Sequence, residues 1–262
     1  MAEKQHNPKY LAQNFLRSPG LVRSLVKASS ISATDTIYEI GPGHGMITAQ
    51  LARLADRVIA IEVDPLLAGK LQERFLHAPN VQIVEGDFLR YRIRDQEYKI
   101  FANIPYNITS EIVRKILYLA PCPSEAYLIM QKEAAEKFAG VPRETQFSVL
   151  AKPLYSLQIA RVLTRTDFYP VPRVESVLLR IQKRCPPLMR EKDMSLYRSF
   201  VHYGFGRWRR SLKLAFKPLF TYNQWKRLSR DLCISLKATP SELSIEQWLG
   251  LFGRFKQIVL QR

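Results

Sequence analysis

Three features of the 262-residue chain predict a doubly wound parallel α/β domain followed by a small helical one. Short β-branched runs alternate with helical patterns from residue 37 to residue 131. A glycine-rich turn, Gly41-Pro42-Gly43-His44-Gly45, follows the first run and opens a helix. Strand patterns stop after residue 183, where Lys183-Arg184-Cys185-Pro186-Pro187 reads as a linker. The expected domains are therefore 1–183 and 184–262.

The runs 37–40, 58–63, 81–84, 100–102 and 126–130 are predicted strands. Parallel neighbours need a crossover, and helices predicted over 45–55, 65–77 and 109–119 supply it. In the last of these, Ile112, Val113, Ile116 and Leu117 share one face, as a helix lying on a sheet requires. Two further strands, near 157–163 and 174–181, are predicted to end the sheet as an antiparallel, hairpin-like pair joined by a long loop with prolines. Beyond the linker the patterns are helical.

Charge narrows the partners. Lys and Arg number 40 against 23 Asp and Glu, a formal +17. Residues 184–262 hold 16 of those bases against 5 acids, a net +11, so the excess concentrates in the smaller domain. Such a surplus gains affinity by releasing counterions condensed on a polyanion, which points to nucleic acid. No apolar stretch reaches the length of a membrane-spanning helix, and the first ten residues are polar, so no membrane partner and a cytoplasmic protein are expected. Cys122, Cys185 and Cys233 are odd in number and far apart, the pattern of reduced thiols. No metal-ligand spacing is evident.

Chemistry-bearing residues recur where strands end. The turn after the first strand has the spacing G-x-G-x-G, with Met46 at the position that a dinucleotide site gives to Gly or Ala. This favours a smaller nucleoside cofactor. Glu62, 21 residues after Gly41, ends the second strand and is placed to accept from ribose hydroxyls; Asp64 reads as a solvated charge. Asp87 follows the third strand, placed to accept from an adenine amino group, with Phe88 beside the ring. Asn103-Ile104-Pro105-Tyr106 follows the fourth. Alone, this tetrapeptide reads as a strand and a proline turn. As the fourth ligand-type position on one sheet edge it reads as a clamp for an exocyclic amino group. The Asn103 side-chain carbonyl and a backbone carbonyl at Ile104 or Pro105 would hold both amino hydrogens, with Tyr106 stacking on the base.

Together with Gln13-Asn14-Phe15-Leu16, the run Phe168-Tyr169-Pro170-Val171-Pro172-Arg173-Val174 and the tail Ser244-Ile245-Glu246-Gln247-Trp248-Leu249, these motifs resemble the ribosomal RNA adenine-N6 methyltransferases over nearly the whole chain. Within them the chain looks like the Erm-type 23S rRNA enzymes that confer macrolide-lincosamide-streptogramin B resistance. Ile104, the short amino terminus and the tail carry that likeness; Arg209-Arg210-x-Leu212 resembles a basic helix of the 16S enzymes instead.

The resemblance implies a Rossmann-like domain that binds S-adenosylmethionine. Asn14 and Leu16 would cover the cofactor, Gly41 and Gly43 line its methionine side, Glu62 hold its ribose, and Asp87 with Phe88 frame its adenine. Asn103 would stand between cofactor and target base. It and Tyr106 would orient the flipped adenine, and Phe168 sandwich it, although a phenylalanine in such a loop reads, by itself, as a core plug. The expected substrate is 23S rRNA, unassembled or partly assembled, met by a monomer. Expected RNA contacts are Arg114 and Lys115 on the helix after the tetrapeptide, Arg173, and Arg209, Arg210 and Lys213 on a basic stripe of the second domain. There Trp208, Leu212, Ala215, Phe216 and Leu219 form the apolar face, and Pro218 ends the helix. The competing readings are a 16S rRNA dimethyltransferase and a non-catalytic nucleic-acid-binding factor on the same fold.

Overall fold

Apolar β-branched runs buried on both faces give the molecule its centre, a seven-stranded sheet. The computed structural model describes residues 14–118, 121–206 and 211–260. In chain order, β1 (Phe15–Leu16) and α1 (Pro19–Lys27) precede β2 (Thr36–Ile40), α2 (Met46–Leu51), β3 (Arg57–Glu62), α3 (Pro65–Arg74) and β4 (Val81–Glu85). Then come β5 (Lys99–Asn103), α4 (Thr109–Tyr118), β6 (Glu125–Gln131), α5 (Lys132–Ala139) and α6 (Gln146–Ala151). The strands β7 (Tyr155–Leu163), β8 (Phe168–Tyr169) and β9 (Ser176–Lys183) follow, and α7 (Met194–Gly206), α8 (Leu212–Ala215), α9 (Tyr222–Asp231) and α10 (Ile245–Leu260) complete the chain.

The sheet order is β4-β3-β2-β5-β6-β9-β7. Strands β4 through β6 are parallel, and β9 runs antiparallel to β6. The order reverses between β2 and β5: β2 continues to β3 on one side and meets β5 on the other. A crevice opens at the carboxyl ends of two strands that diverge in this way. Gly41 and Asn103 stand there. β1 and β8 form a separate antiparallel pair, Phe15 opposite Tyr169 and Leu16 opposite Phe168.

All five strands expected in the parallel core are present. The expected helices are there too, shortened at their ends. The sequence reading passed over α1, whose start is nevertheless written in Ser18-Pro19. The Ser18 hydroxyl accepts from the Leu21 N–H, Pro19 occupies the first turn, and Val22, Leu25 and Val26 are buried. Asp64, read as a solvated charge, instead caps α3 by accepting from the N–H groups of Leu66 and Leu67.

The chain forms two compact units, one of residues 1–135 and 158–183, the other of 136–157 and 184–262. The segment 136–157, which the sequence reading assigned to the first domain, groups with the second because α6 joins its core. Val149 packs in one cluster with Tyr197, Phe200, Phe216, Trp225 and Trp248, and the Tyr197 hydroxyl donates to the Val149 carbonyl. The basic stripe is cut short: α8 holds four residues, and Leu212, Ala215 and Phe216 are buried. Arg209, Arg210 and Trp208 lie outside the described residues.

Candidate active site

The glycine turn requires its glycines. Gly41 and Gly43 have φ of +62° and +57°, and a Cβ on Gly43 would lie 2.6 Å from the Phe15 ring. The turn is tied to the end of β3, where the Gly41 N–H donates to the Ile61 carbonyl, and the end of β4 is tied to it in the same way, the Gly86 N–H donating to the Glu62 carbonyl. Glu62 is wholly buried. One carboxylate oxygen accepts from the Gly43 N–H and the other from the Asp64 N–H, each at 3.0 Å. Burial pushes its pKa up, and those two backbone donors pull it back.

Two cavities flank the strand ends and share Gly41 and Pro105. One, of about 380 Å³, is lined by Gly41, Glu62, Asp87, Phe88 and, from α4, Ile112. Its lining combines the carboxylates of Glu62 and Asp87 with the apolar Ile61, Phe88 and Ile112. The other, of about 580 Å³, is lined by Asn14, Phe15, Leu16, Gly41, His44 and the segment Asn103 to Tyr106. Seven of the eight residues expected around a cofactor (Asn14, Leu16, Gly41, Glu62, Asp87, Phe88 and Asn103) thus line one cavity or the other. Gly43 contributes its N–H to Glu62 behind them.

The tetrapeptide is oriented by its own hydrogen bonds. The Asn103 Nδ2 donates to the Asn14 carbonyl at 2.7 Å, which leaves Oδ1 as the end of the amide outside that bond. The Pro105 carbonyl accepts from the Ile108 N–H and the Thr109 hydroxyl, closing the turn. Of the two backbone acceptors weighed from the sequence, Ile104 is therefore the one the turn leaves to a ligand. The Tyr106 hydroxyl is 2.6 Å from the Ser176 hydroxyl, which fixes the ring, and burial raises the phenol pKa, so Tyr106 remains neutral. Ser176, fully buried on β9, was missed by sequence reasoning, since nothing local to it signals a role.

Phe168 requires a correction. It is fully buried in the core with Leu16, Val22 and Leu25, lines neither cavity, and in this conformation presents no face to a base. Strand alternation explains it: in the two-residue β8 one side chain points in and the next out, and Tyr169 is the exposed one at 67 %. Lys115 is likewise not an outward cation. Its Nζ donates to the carbonyls of Phe88 and Tyr91 and lies 4.6 Å from the Phe88 ring centre, while burial lowers its pKa. Arg114 and Arg173 are exposed. Lys213 is half-buried, with its Nζ over the Tyr222 ring. His44, which the sequence reading gave no role, lines the larger cavity and packs against Phe15 at 4.5 Å between ring centres.

Glu39, at the end of β2, is buried, and that burial, aided by the Glu62 charge, pushes its pKa up to about 8 despite help from Thr48. Between the ordinary carboxylate pKa and that value the folded chain keeps a proton that the unfolded chain has released. This acid therefore makes stability fall as pH rises through that window, and the loss levels off above it. Glu39→Gln, which has no proton to lose, is expected to match the wild type in Tm near pH 5. By pH 8.5 it should exceed it by roughly 8–15 °C, since the shift is worth about 4 kcal/mol over that span at about 1.4 kcal/mol per pH unit and about 2–4 °C per kcal/mol. A Tm difference that stays flat with pH overturns this role.

A mainly parallel sheet with β9 reversed and cavities at its carboxyl edge is the architecture of the S-adenosylmethionine-dependent methyltransferases. Comparison with known proteins carries this further. The family model of ribosomal RNA adenine dimethylases matches residues 4–257, and the chain belongs to that family. It is a methyltransferase acting on adenine N6 in ribosomal RNA. The chain is 30 % identical over 264 residues to an rRNA adenine N-6-methyltransferase of Bacteroides fragilis, covering 100 % of this chain and 98 % of the relative. It is 32 % identical over 256 residues to the ribosomal RNA small subunit methyltransferase A of Acaryochloris marina, covering 93 % and 95 %. Among solved structures, the 23S rRNA methyltransferase ErmE matches with a TM-score of 0.87 at 29 % identity, over 93 % of this chain and all of that one.

Proposed function

We propose that this protein transfers a methyl group from S-adenosylmethionine to N6 of one adenine in 23S rRNA, giving resistance to macrolide, lincosamide and streptogramin B antibiotics. The observation that carries the chemistry is the orientation of Asn103: its amide nitrogen is spent on the Asn14 carbonyl, so its oxygen meets the substrate. An adenine amino lone pair is delocalised into the ring and attacks poorly. Hydrogen bonds from its two hydrogens to Asn103 Oδ1 and the Ile104 carbonyl hold the nitrogen out of conjugation. Tyr106, fixed by Ser176, stacks on the base and replaces part of the stacking lost when it leaves the helix. Glu62 holds the cofactor ribose, and Asp87 and Phe88 its adenine. When bound, the cofactor supplies an already activated sulfonium methyl, so positioning accounts for most of the acceleration and no strong base is needed. Arg114 and Arg173 are exposed cations for RNA phosphate.

The likeness to ErmE over its full length and Ile104 in the tetrapeptide support 23S rRNA as substrate. The small-subunit relative favours a second reading, a 16S rRNA dimethyltransferase. Among the described residues no helix is long and apolar enough to cross a membrane. We place the enzyme in the cytoplasm, acting as a monomer on RNA that is free or partly assembled. The test supplies labelled S-adenosylmethionine with protein-free 23S rRNA, protein-free 16S rRNA or assembled large subunits, and maps the modified base by primer extension. Label at one adenine of free 23S rRNA is expected. Label in 16S rRNA alone selects the second reading, and none in any RNA sinks both.

A further inference from the structure

Helix α4 forms one wall of the nucleoside cavity through Ile112. One turn later comes Lys115, three residues after Ile112. Its ammonium does not leave the protein. It donates to the carbonyls of Phe88 and Tyr91, at opposite ends of a short loop, and lies 4.6 Å from the centre of the Phe88 ring. The same loop begins with Asp87, whose Oδ1 accepts from the Leu89 N–H, so its polar and aromatic members are fixed from both sides. Phe88 is 5 % exposed and contributes to the cavity lining.

We propose that Lys115 is a positioning residue for the cofactor's adenine, holding loop 87–91 against α4, and not an RNA contact. A half-buried cation held by two carbonyls and an aromatic face is a local tie, because each hydrogen bond to a charged donor is worth more than a neutral one. Without it, the Phe88 ring loses the cation beside it, the Tyr91 carbonyl loses this donor, and the Phe88 carbonyl keeps only the Tyr91 N–H. The inference rests on reading this cavity as the cofactor site. It adds that α4, which starts at the target-base turn, is linked to the adenine-binding loop through one side chain.

The test uses Lys115→Met, which keeps the stem and removes the donor and charge, and Lys115→Gln, which keeps a shorter donor. S-adenosylhomocysteine affinity is measured by calorimetry, and affinity for a 23S rRNA transcript by filter binding. Lys115→Met is expected to weaken S-adenosylhomocysteine about 10- to 100-fold and Lys115→Gln by less. RNA affinity should stay unchanged, and the KM for S-adenosylmethionine should rise while the KM for RNA does not. A merely structural defect would lower both affinities together with the folded fraction. The proposal is overturned when either folded variant binds S-adenosylhomocysteine like the wild type, or loses RNA affinity instead. A wild-type protein that binds no S-adenosylhomocysteine overturns the cofactor reading itself, a separate result.

Discussion

Asn103→Ala is expected to lower kcat by about 100- to 1,000-fold, with a much smaller loss of S-adenosylhomocysteine affinity through the freed Asn14 segment. The side chain does two things at once. Its nitrogen binds the Asn14 carbonyl, tying the amino-terminal segment to the sheet edge, and in the proposed mechanism its oxygen accepts from the target amino group. Alanine removes both, but it sits half-exposed at a strand end, so the fold loses little. Asn103→Asp separates the two functions. It keeps an acceptor for the amino group but sets a carboxylate against the Asn14 carbonyl, so its activity should lie between wild type and Asn103→Ala. Single-turnover rates with saturating RNA and cofactor make the comparison. Transfer by Asn103→Ala at the wild-type rate removes the amino-group clamp from the mechanism.

The site was legible in the sequence wherever a strand announced its own end. Ile37 to Ile40, Val58 to Ile61 and Ile100 to Ala102 are apolar runs that must be buried in a sheet. The first glycine or polar residue after each run, Gly41, Glu62 or Asn103, therefore falls on one edge. Which strands neighbour each other was not legible. The pairing of β2 with β5, which creates the crevice, joins residues some sixty positions apart and leaves no local trace. Helix α1 is a different kind of miss, because Ser18-Pro19 and the spacing of Val22, Leu25 and Val26 carried the signal.

Side-chain roles were read less well than strand ends, for reasons of direction. Phe168 and Tyr169 are adjacent aromatics on a two-residue strand, and pleating alone decides which one faces inward. Composition cannot tell them apart. Lys115 was read by its charge, yet its place three residues after Ile112 already put it on the buried side of α4. Neighbouring Arg114 points the other way and is exposed. For a basic residue on an amphipathic helix, phase is a better guide than charge.

Glu62→Ala should produce the opposite kinetic signature to Asn103→Ala: a KM for S-adenosylmethionine raised about 100-fold or more, with a much smaller change in kcat at saturation. Glu62 is wholly buried, and its two oxygens accept from the Gly43 and Asp64 N–H groups. It therefore builds the glycine turn, in addition to the ribose contact proposed for it. Alanine leaves two buried donors without an acceptor, at about 1–3 kcal/mol each, so a lower Tm accompanies the loss of affinity. Glu62→Gln keeps the volume and one acceptor oxygen, and should retain more of the fold than of the binding. The ionised form is the one that accepts from both donors and from ribose hydroxyls. Since burial raises the Glu62 pKa, cofactor affinity should begin to fall on acidification at a higher pH than a surface glutamate would impose. The same acidification should leave Glu62→Gln unchanged. Calorimetric titration of both proteins with S-adenosylhomocysteine across pH 5 to 8 reads this directly. Parallel curves for the two would place the proton on another group, with Glu39 beside it the first to examine.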